Sequence, residues 1–295
     1  MHIYKGRITI QDILFDTVNY TLVLIFCITT IYPFLYIMAL SLSPGDVPFT
    51  SIYIIPPKIS LANYARVFMA DFFLRAFYYT ILRTILGTSL TLIAVLLGAY
   101  VLSKKYFPHR VFWTAFIVFT MFFSGGLIPY YFNVKNLGMI DTIWALVIPG
   151  LIPTFTMFIV RNYFMSLSES LEESARIDGA NDIVILLAII VPISLPIIAT
   201  VVLWSAVGHW NAWFDSLIFT RDPKKHVLQV ILRRIVIQGT IGDIEMGNRI
   251  DDPNLVSPEN VKAATIMAAT LPILLFYPFL QKYFVKGIMI GSLKG

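Results

Sequence analysis

Six stretches of the chain run for eighteen residues or more without a charged side chain: Val18–Leu42, Thr84–Ser103, Val111–Val134, Thr142–Val160, Ile183–Phe214 and Ala263–Leu280. A helix that crosses a bilayer core of about 30 Å needs about 20 apolar residues. The pattern therefore predicts six transmembrane helices, drawn at residues 18–42, 80–103, 111–130, 142–162, 184–207 and 263–283. A polar loop at 166–182 joins the fourth and fifth, and a large loop at 208–262 precedes the sixth. Gly125-Gly126 and Pro129 end the third helix early. Gly208–Phe214 turns away after the fifth, and Val227–Ile237 reads as a short amphipathic element. The first apolar run is far longer than the core of a signal peptide, and no small-x-small site follows it, so it reads as a retained anchor.

Composition agrees with that pattern. The chain of 295 residues is 58% hydrophobic and only 13% charged, with mean hydropathy +0.78. Soluble domains carry about a quarter charged residues, so a water-soluble enzyme and a disordered chain are both excluded. The net charge of +5 is spread over short loops, where it reports orientation rather than a nucleic-acid partner. With the N-terminus inside, ten basic residues fall in short inside loops: Lys5, Arg7, Lys104, Lys105, Arg110, Arg161, Arg176, Lys282, Lys286 and Lys294. The short outside loops hold only Lys58, Arg66 and Lys135. Arg75 and Arg83 lie near the outer end of the second helix, where long side chains snorkel. Both termini are thus expected on the cytoplasmic side of a single integral membrane domain, residues 1–295. Cys27, the one cysteine, is expected to be a buried spectator thiol.

Several chemistries are missing. The third to sixth helices have no Asp, Glu, Lys or Arg in their apolar cores, whereas ion-coupled carriers keep such groups at membrane depth. There is no Gly-Lys dipeptide, hence no phosphate-binding loop of the Walker type. No zinc-protease pair and no nucleophile elbow are present. Any work this chain performs must draw on a partner's energy.

The most informative segment is the loop 166–182. Ser166 with Glu169 and Ser170 with Glu173 offer two overlapping capping boxes, and Gly179 is a natural helix stop. A helix of about two turns is expected before Gly179. It reads equally as an amphipathic connector on the membrane surface and as a docking knob for a cytoplasmic protein.

The run Glu173-Ser-Ala-x-x-x-Gly179, nine residues, then Ile189-x-Val-Pro192 resembles the EAA signature of the permease subunits of ABC importers. Arg176-Ile-Asp-Gly-Ala-Asn181 matches the fuller form found in carbohydrate permeases of the maltose type. Ser174, Val191 and Ser168 depart from the pattern, Ser168 standing where many relatives have a helix-starting proline. Asn63-Tyr64, Ala99-Tyr100-Val-Leu-Ser103, Phe123-Ser-Gly-Gly-Leu-Ile-Pro129, Trp210-Asn-Ala-Trp213 and the tail Phe284–Gly295 are similar to the same family, in its LplC-like branch.

The resemblance implies an all-α, integral membrane, type I ABC importer permease fold with six transmembrane helices. It implies that the loop helix fits a groove on an ATPase subunit, with Glu172, Glu173, Ala175, Asp178, Gly179 and Ala180 forming the coupling site. It gives Gly287, Gly291 and Lys294 of the tail a contact with the ATPases. Tyr130, Trp204, Trp210, Asn211, Trp213 and Arg83 are candidates for the substrate path. Trp210-Asn211-x-Trp213 sets an amide beside two rings, although belt or core positions suit such rings as well. Pro192 and Pro196 favour a kink in the fifth helix.

The implied partners are a second, unlike permease, two ATPase subunits, an extracellular solute-binding protein and the lipid bilayer of a bacterial plasma membrane. The implied cargo is an oligosaccharide or related glycan. No catalytic residue, metal or cofactor belongs to the chain itself, ATP and Mg being held by the ATPases. An ABC permease for an amino acid or peptide, and a stand-alone channel or scaffold, are the competing readings.

Overall fold

The computed structural model describes residues 9–46, 54–56, 58–238 and 257–292, without side chains at 277 and 279–292. Every regular element among the described residues is helical. The chain divides into two compact units, Met1–Ala70 with Gly239–Ala268 and Asp71–Gln238 with Ala269–Gly295.

In the first unit, α1 (Ile10–Ser41) opens with a capping box in which Thr9 and Asp12 satisfy each other's backbone N–H. Only Ala39, Leu40 and Ser41 of this helix are buried. Cys27 is exposed, not buried as expected: among the described residues it sits on a stretch of α1 whose side chains are exposed. The last carbonyls of a helix lack intrahelical partners, and two buried amides meet them here. Asn63, on α2 (Ala62–Met69), donates to Ser41 O at 3.0 Å and Ser43 O at 2.8 Å. Asn260, near the start of α13 (Pro258–Ser292), donates to Ser43 O and Pro44 O, both at 2.9 Å. The short helix α2 was not foreseen; its eight residues lie between the first two predicted spans, in a connection that carries Pro44, Pro48, Pro56 and Pro57.

The second unit is built on α3 (Asp71–Ser103). Its buried positions recur at three and four residues, Ala76, Thr80, Arg83, Gly87, Thr91, Val95 and Ala99. Mostly small side chains on one face allow neighbouring helices to approach closely. Packed on α3 are α6 (Thr154–Met165) and α10 (Leu195–Asn211). Arg83 is 3% exposed and paired with Asp215, not snorkelling as expected, because a carboxylate is presented to it inside the fold.

Two helical pairs bend sharply. Helix α4 (Arg110–Phe122) stops at Phe122, Gly126 takes φ +85°, and α5 (Leu127–Asn136) leaves at 114°. The fifth predicted span begins as α8 (Asp182–Val184), widens into a π-helical stretch Ile185–Ile190, and ends its first arm at α9 (Val191–Ile193). It then turns 86° into α10. Pro192 and Pro196 flank that turn and each removes a backbone donor; the Ile193 carbonyl accepts from Tyr163 Oη at 3.3 Å.

Among the described residues three helices are long and apolar enough to cross a membrane, or up to five if each bent pair is one span. Residues 142–162, expected as one helix, form a 3-10 turn at Ile143–Leu146 and then α6, whose twelve residues begin at Thr154. Twelve residues rise only about 18 Å. Pro149, Gly150 and Pro153 explain the interruption, since proline supplies no N–H and glycine no helical preference.

Beyond α10 lie α11 (Phe214–Phe219) and α12 (Leu228–Gln238). The amphipathic element expected at Val227–Ile237 is therefore helical. A small core of Val134, Leu146, Phe219, Val227 and Val230 joins these elements to α5. Asp141, at φ +67°, pins it: one carboxylate oxygen accepts from Arg221 N at 2.9 Å and Asp222 N at 3.1 Å.

Two predictions follow from these anchors. Asn63→Ala or Asn260→Ala leaves buried carbonyls without donors, at a cost of roughly 1–3 kcal/mol. The unfolding midpoint in a fixed detergent is expected to fall further than for Asn211→Ala, whose residue is exposed. The Asp222 amide above all, with lesser help from the Arg221 amide and from nearby Lys225 and Arg221, holds the Asp141 carboxyl below its ordinary value against the opposing effect of burial. A depressed carboxylate stabilises fully above the unfolded value of about 4 and loses its effect as pH falls through the folded value. Asp141→Asn keeps an acceptor and tolerates the left-handed backbone. Its midpoint should drop less than the wild type's between about pH 6 and about pH 3; an equal drop would count against this assignment.

Candidate functional site

The loop helix α7 (Glu169–Ile177) is nine residues long. Neither expected capping box forms. Ser166 ends α6, and its hydroxyl donates to Tyr163 O at 2.7 Å. The N-cap is Ser168, whose hydroxyl shares a hydrogen bond with Ser170 and caps no N–H. Glu169 turns instead to Lys105 Nζ at 2.5 Å. The end is sharply defined. Gly179 at φ +83° donates to Arg176 O, and Ala180 N donates to Ala175 O at 2.9 Å, the paired bonds of a Schellman stop. Nothing lies within 4 Å of where a Gly179 Cβ would stand. Glycine is required there by backbone conformation, not by space.

One face of α7 is tied to the second unit. Ala175 is buried in a cluster with Val95, Ala99, Met157, Val160, Ile185 and Val201, and Ala180 packs on its edge. Glu172 pairs with Lys104, a lysine that is itself buried and lies 3.9 Å from the Tyr100 ring centre. Arg176 pairs with Asp182 and donates to Tyr106 Oη at 2.6 Å, while Tyr106 Oη donates to Asp182 Oδ1 at 3.0 Å. Burial first, and then the Asp182 carboxylate, raise the Tyr106 hydroxyl above its ordinary value, so it stays protonated as that donor. The other face is free: Glu173, Ser174 and Asp178 are exposed, as are Leu171 and Ile177, the last at 86%.

The six loop residues singled out by sequence thus divide. Ala175, Ala180 and Glu172 face the fold, whereas Glu173, Asp178 and Gly179 face outward. Lys104, Tyr106 and Asp182 were missed as anchors. Their only signal was a basic pair just after an apolar run, which served for orientation alone. Lys294 lies outside the described residues, as do the side chains around Gly287 and Gly291.

The candidates for the substrate path also separate. Arg83 and Trp204 line one cleft of about 290 Å³, with Thr91, Thr156, Ser205, Gly208 and His209. Arg83 donates through one terminal nitrogen to Ala212 O at 3.1 Å and Asp215 Oδ1 at 3.0 Å, and through the other to Asp215 Oδ2. The His209 ring occupies the space that a side chain at Gly87 would need, 2.4 Å from that Cβ position. Trp210 is buried, donates to Ala269 O at 3.2 Å and meets Phe77 edge-on. Asn211 accepts from Gln229 at 3.4 Å. Trp213 lies under the Arg233 guanidinium at 3.8 Å, and Tyr130 packs on Phe219. The Trp-Asn-x-Trp word does not gather at one spot. Among the described residues no group of His, Cys, Asp and Glu could hold a metal.

Replacing Tyr106 with Phe keeps the ring under Arg176 but removes the hydroxyl that accepts from Arg176 and donates to Asp182. Two lost hydrogen bonds at about 1 kcal/mol each amount to about 2 kcal/mol, or about thirtyfold in opening. Amide hydrogen exchange across residues 173–178 should accelerate by about that factor, with the global unfolding midpoint unchanged.

Comparison with known proteins places these features. Residues 65–290 match the family described as "Binding-protein-dependent transport system inner membrane component". The polygalacturonan/rhamnogalacturonan transport system permease protein YtcP of Bacillus subtilis is 39% identical, the match covering 96% of this chain and 99% of that protein. Protein LplC of the same organism is 42% identical over 90% of each. A chain from the crystal structure of a bacterial ABC transporter that imports the acidic polysaccharide alginate is 34% identical. It superposes with a TM-score of 0.88 and covers 94% of this chain and 98% of that one.

Proposed function

Because this chain belongs to the inner membrane component family of binding-protein-dependent transport systems, we propose that it is one of two permease subunits of an ATP-driven glycan importer. The observation that carries the reading is the loop helix. It is fixed to the fold on one face by Ala175, Glu172 and Arg176 and presents Leu171, Glu173, Ile177 and Asp178 on the other. A rigid, partly apolar knob of this kind suits a groove on an ATPase subunit, and closure of that groove would be transmitted through Ala175 to α3, α6 and α10. The ATPases would hold ATP and Mg, and Gly287, Gly291 and Lys294 of the tail would lie against them. An extracellular solute-binding protein would deliver the cargo to a path shared with a second, unlike permease.

The cargo class is drawn from relatives named for polysaccharide transport. Six crossings with both termini cytoplasmic are part of the proposal. In it α6 and the buried turn at Ala145–Val147 make the fourth crossing, since irregular backbone is tolerated at membrane depth where protein covers it. The setting would be a bacterial cytoplasmic membrane.

The test is purification of the tagged chain from its native membrane in mild detergent, with identification of what accompanies it. A second permease and an ATPase in fixed ratio are expected, with ATPase association lost in Gly179→Asp. A non-glycan solute bound by the accompanying binding protein would move the cargo to an amino acid or peptide. A chain that purifies alone, indifferent to the loop variant, would leave a channel or scaffold as the better reading.

A further inference from the structure

The cleft on α3, α6 and α10 carries polar groups that the fold does not use. Thr91 is 2% exposed and lines the cleft, and its hydroxyl has no partner. Thr80 and Thr84 on the same helix donate theirs to the carbonyl one turn back, the usual resort of such residues in a helix. Ser205 Oγ and Arg83 Nε are also buried and unpartnered. Buried polar atoms left in this way are few in folded proteins, and each calls for an account. Beside them the Trp204 side chain, 45% exposed, forms part of the cleft wall. An aromatic face next to scattered hydroxyl and N–H groups is the chemistry that receives a sugar ring. The cleft's volume of about 290 Å³ is at the small end for a ligand pocket, enough for one ring but not a chain.

The charge of that ring is decided by Asp215. Arg83 has both terminal nitrogens on this carboxylate. Two N–H groups remain to offer, the Nε–H and the second hydrogen of the terminal nitrogen that holds Asp215 Oδ2. Asp215 already neutralises the guanidinium, so a uronate carboxylate seated there would lie beside a second carboxylate with no counter-charge of its own, which is strongly unfavourable. Sugar hydroxyls accept from the same N–H groups at no such cost. We propose that this cleft is a subsite for one uncharged pyranose unit of the transported glycan, and that Asp215 is the residue that turns it against uronates. The proposal rests on the glycan-importer reading above and narrows it.

α-1,4-Linked galactotriose and trigalacturonate differ only at C6, hydroxymethyl in one and carboxylate in the other, and serve as probes. Each is titrated against the importer complex purified through this chain, with indole fluorescence as the readout. Galactotriose is expected to give a saturable change that disappears in Trp204→Phe, and to bind at least about tenfold tighter than trigalacturonate, the equivalent of one charge-assisted interaction. Asp215→Asn, which frees Arg83, should reverse the order. Thr91→Val, nearly isosteric, should weaken galactotriose by about fivefold at an unchanged unfolding midpoint, and it decides the matter if Asp215→Asn does not fold. Tighter binding of trigalacturonate by the wild type, an intact response in Trp204→Phe, or no weakening in Thr91→Val would overturn the subsite. So would the absence of binding by either probe. If the complex still co-purifies with its ATPase, the importer reading survives that failure.

Discussion

Close approach of helices along one face of α3 is the constraint on which the second unit depends. In lipid the apolar surface of a helix gains little by leaving its solvent, so association rests on packing and on polar contacts. The stripe Ala76, Thr80, Gly87, Thr91 and Ala99 supplies the first. Gly87 shows how tight it is, because the His209 ring stands where a methyl group would be. Arg83 and Asp215 supply the second. A guanidinium this deeply buried is tolerable only when paired and hydrogen-bonded, and its bidentate partner ties α3 to the segment that follows α10. The cleft and the loop helix both hang on this arrangement, one beside Arg83 and the other near the far end of the same helix.

The loop helix draws its rigidity from several directions. Its own sequence provides a defined stop at Gly179 but a weak start, since Ser168 caps no N–H. Tertiary contacts make up the difference. Ala175 enters the core, and three basic residues, Lys104, Lys105 and Arg176, meet Glu172, Glu169 and Asp182. Exposed ion pairs contribute little individually. The Lys104–Glu172 pair differs because Lys104 is buried and also rests on the Tyr100 ring. A nine-residue helix is too short to persist alone in water, so its order reports the packing of the fold behind it.

Much of this was legible in the sequence where local chemistry decides. Gly179 had to end a helix, Gly125-Gly126 had to break one, and the apolar runs had to be helical. The misses arise where tertiary partners decide. Ser166 and Glu169 had the spacing of a capping box, yet the hydroxyl was taken by the preceding helix and the carboxylate by Lys105. Arg83 reads as a snorkelling arginine unless Asp215, 132 residues away, is known to face it. Residues 142–162 have the composition of a span, but Pro149, Gly150 and Pro153 outweigh hydropathy in choosing backbone conformation. Asn63 was visible only as part of a family word. Its role as the donor that closes the end of α1 needed the three-dimensional arrangement.

The bends give the remaining link between the loop and the cleft. An unbroken helix running from Asp182 to Asn211 would carry any movement of the loop straight along its axis. Here the first arm turns 86° at Ser194, between Pro192 and Pro196, after six residues of wider π-helix. Extra residues per turn and missing backbone donors both lower the resistance to bending. The first arm packs with Ala175 in the core beneath the loop helix, while the second carries Trp204, Ser205 and His209 into the cleft. In the proposed importer a displacement of the loop would reach the cleft as a change of angle between these two arms. Tyr163, which donates to the Ile193 carbonyl freed at the turn, sits on α6, so that helix too is coupled to the angle. The physical route from the outward face of α7 to the orphaned hydroxyls of the cleft is this jointed helix, its first arm in the core that Ala175 enters and its second packed on α3.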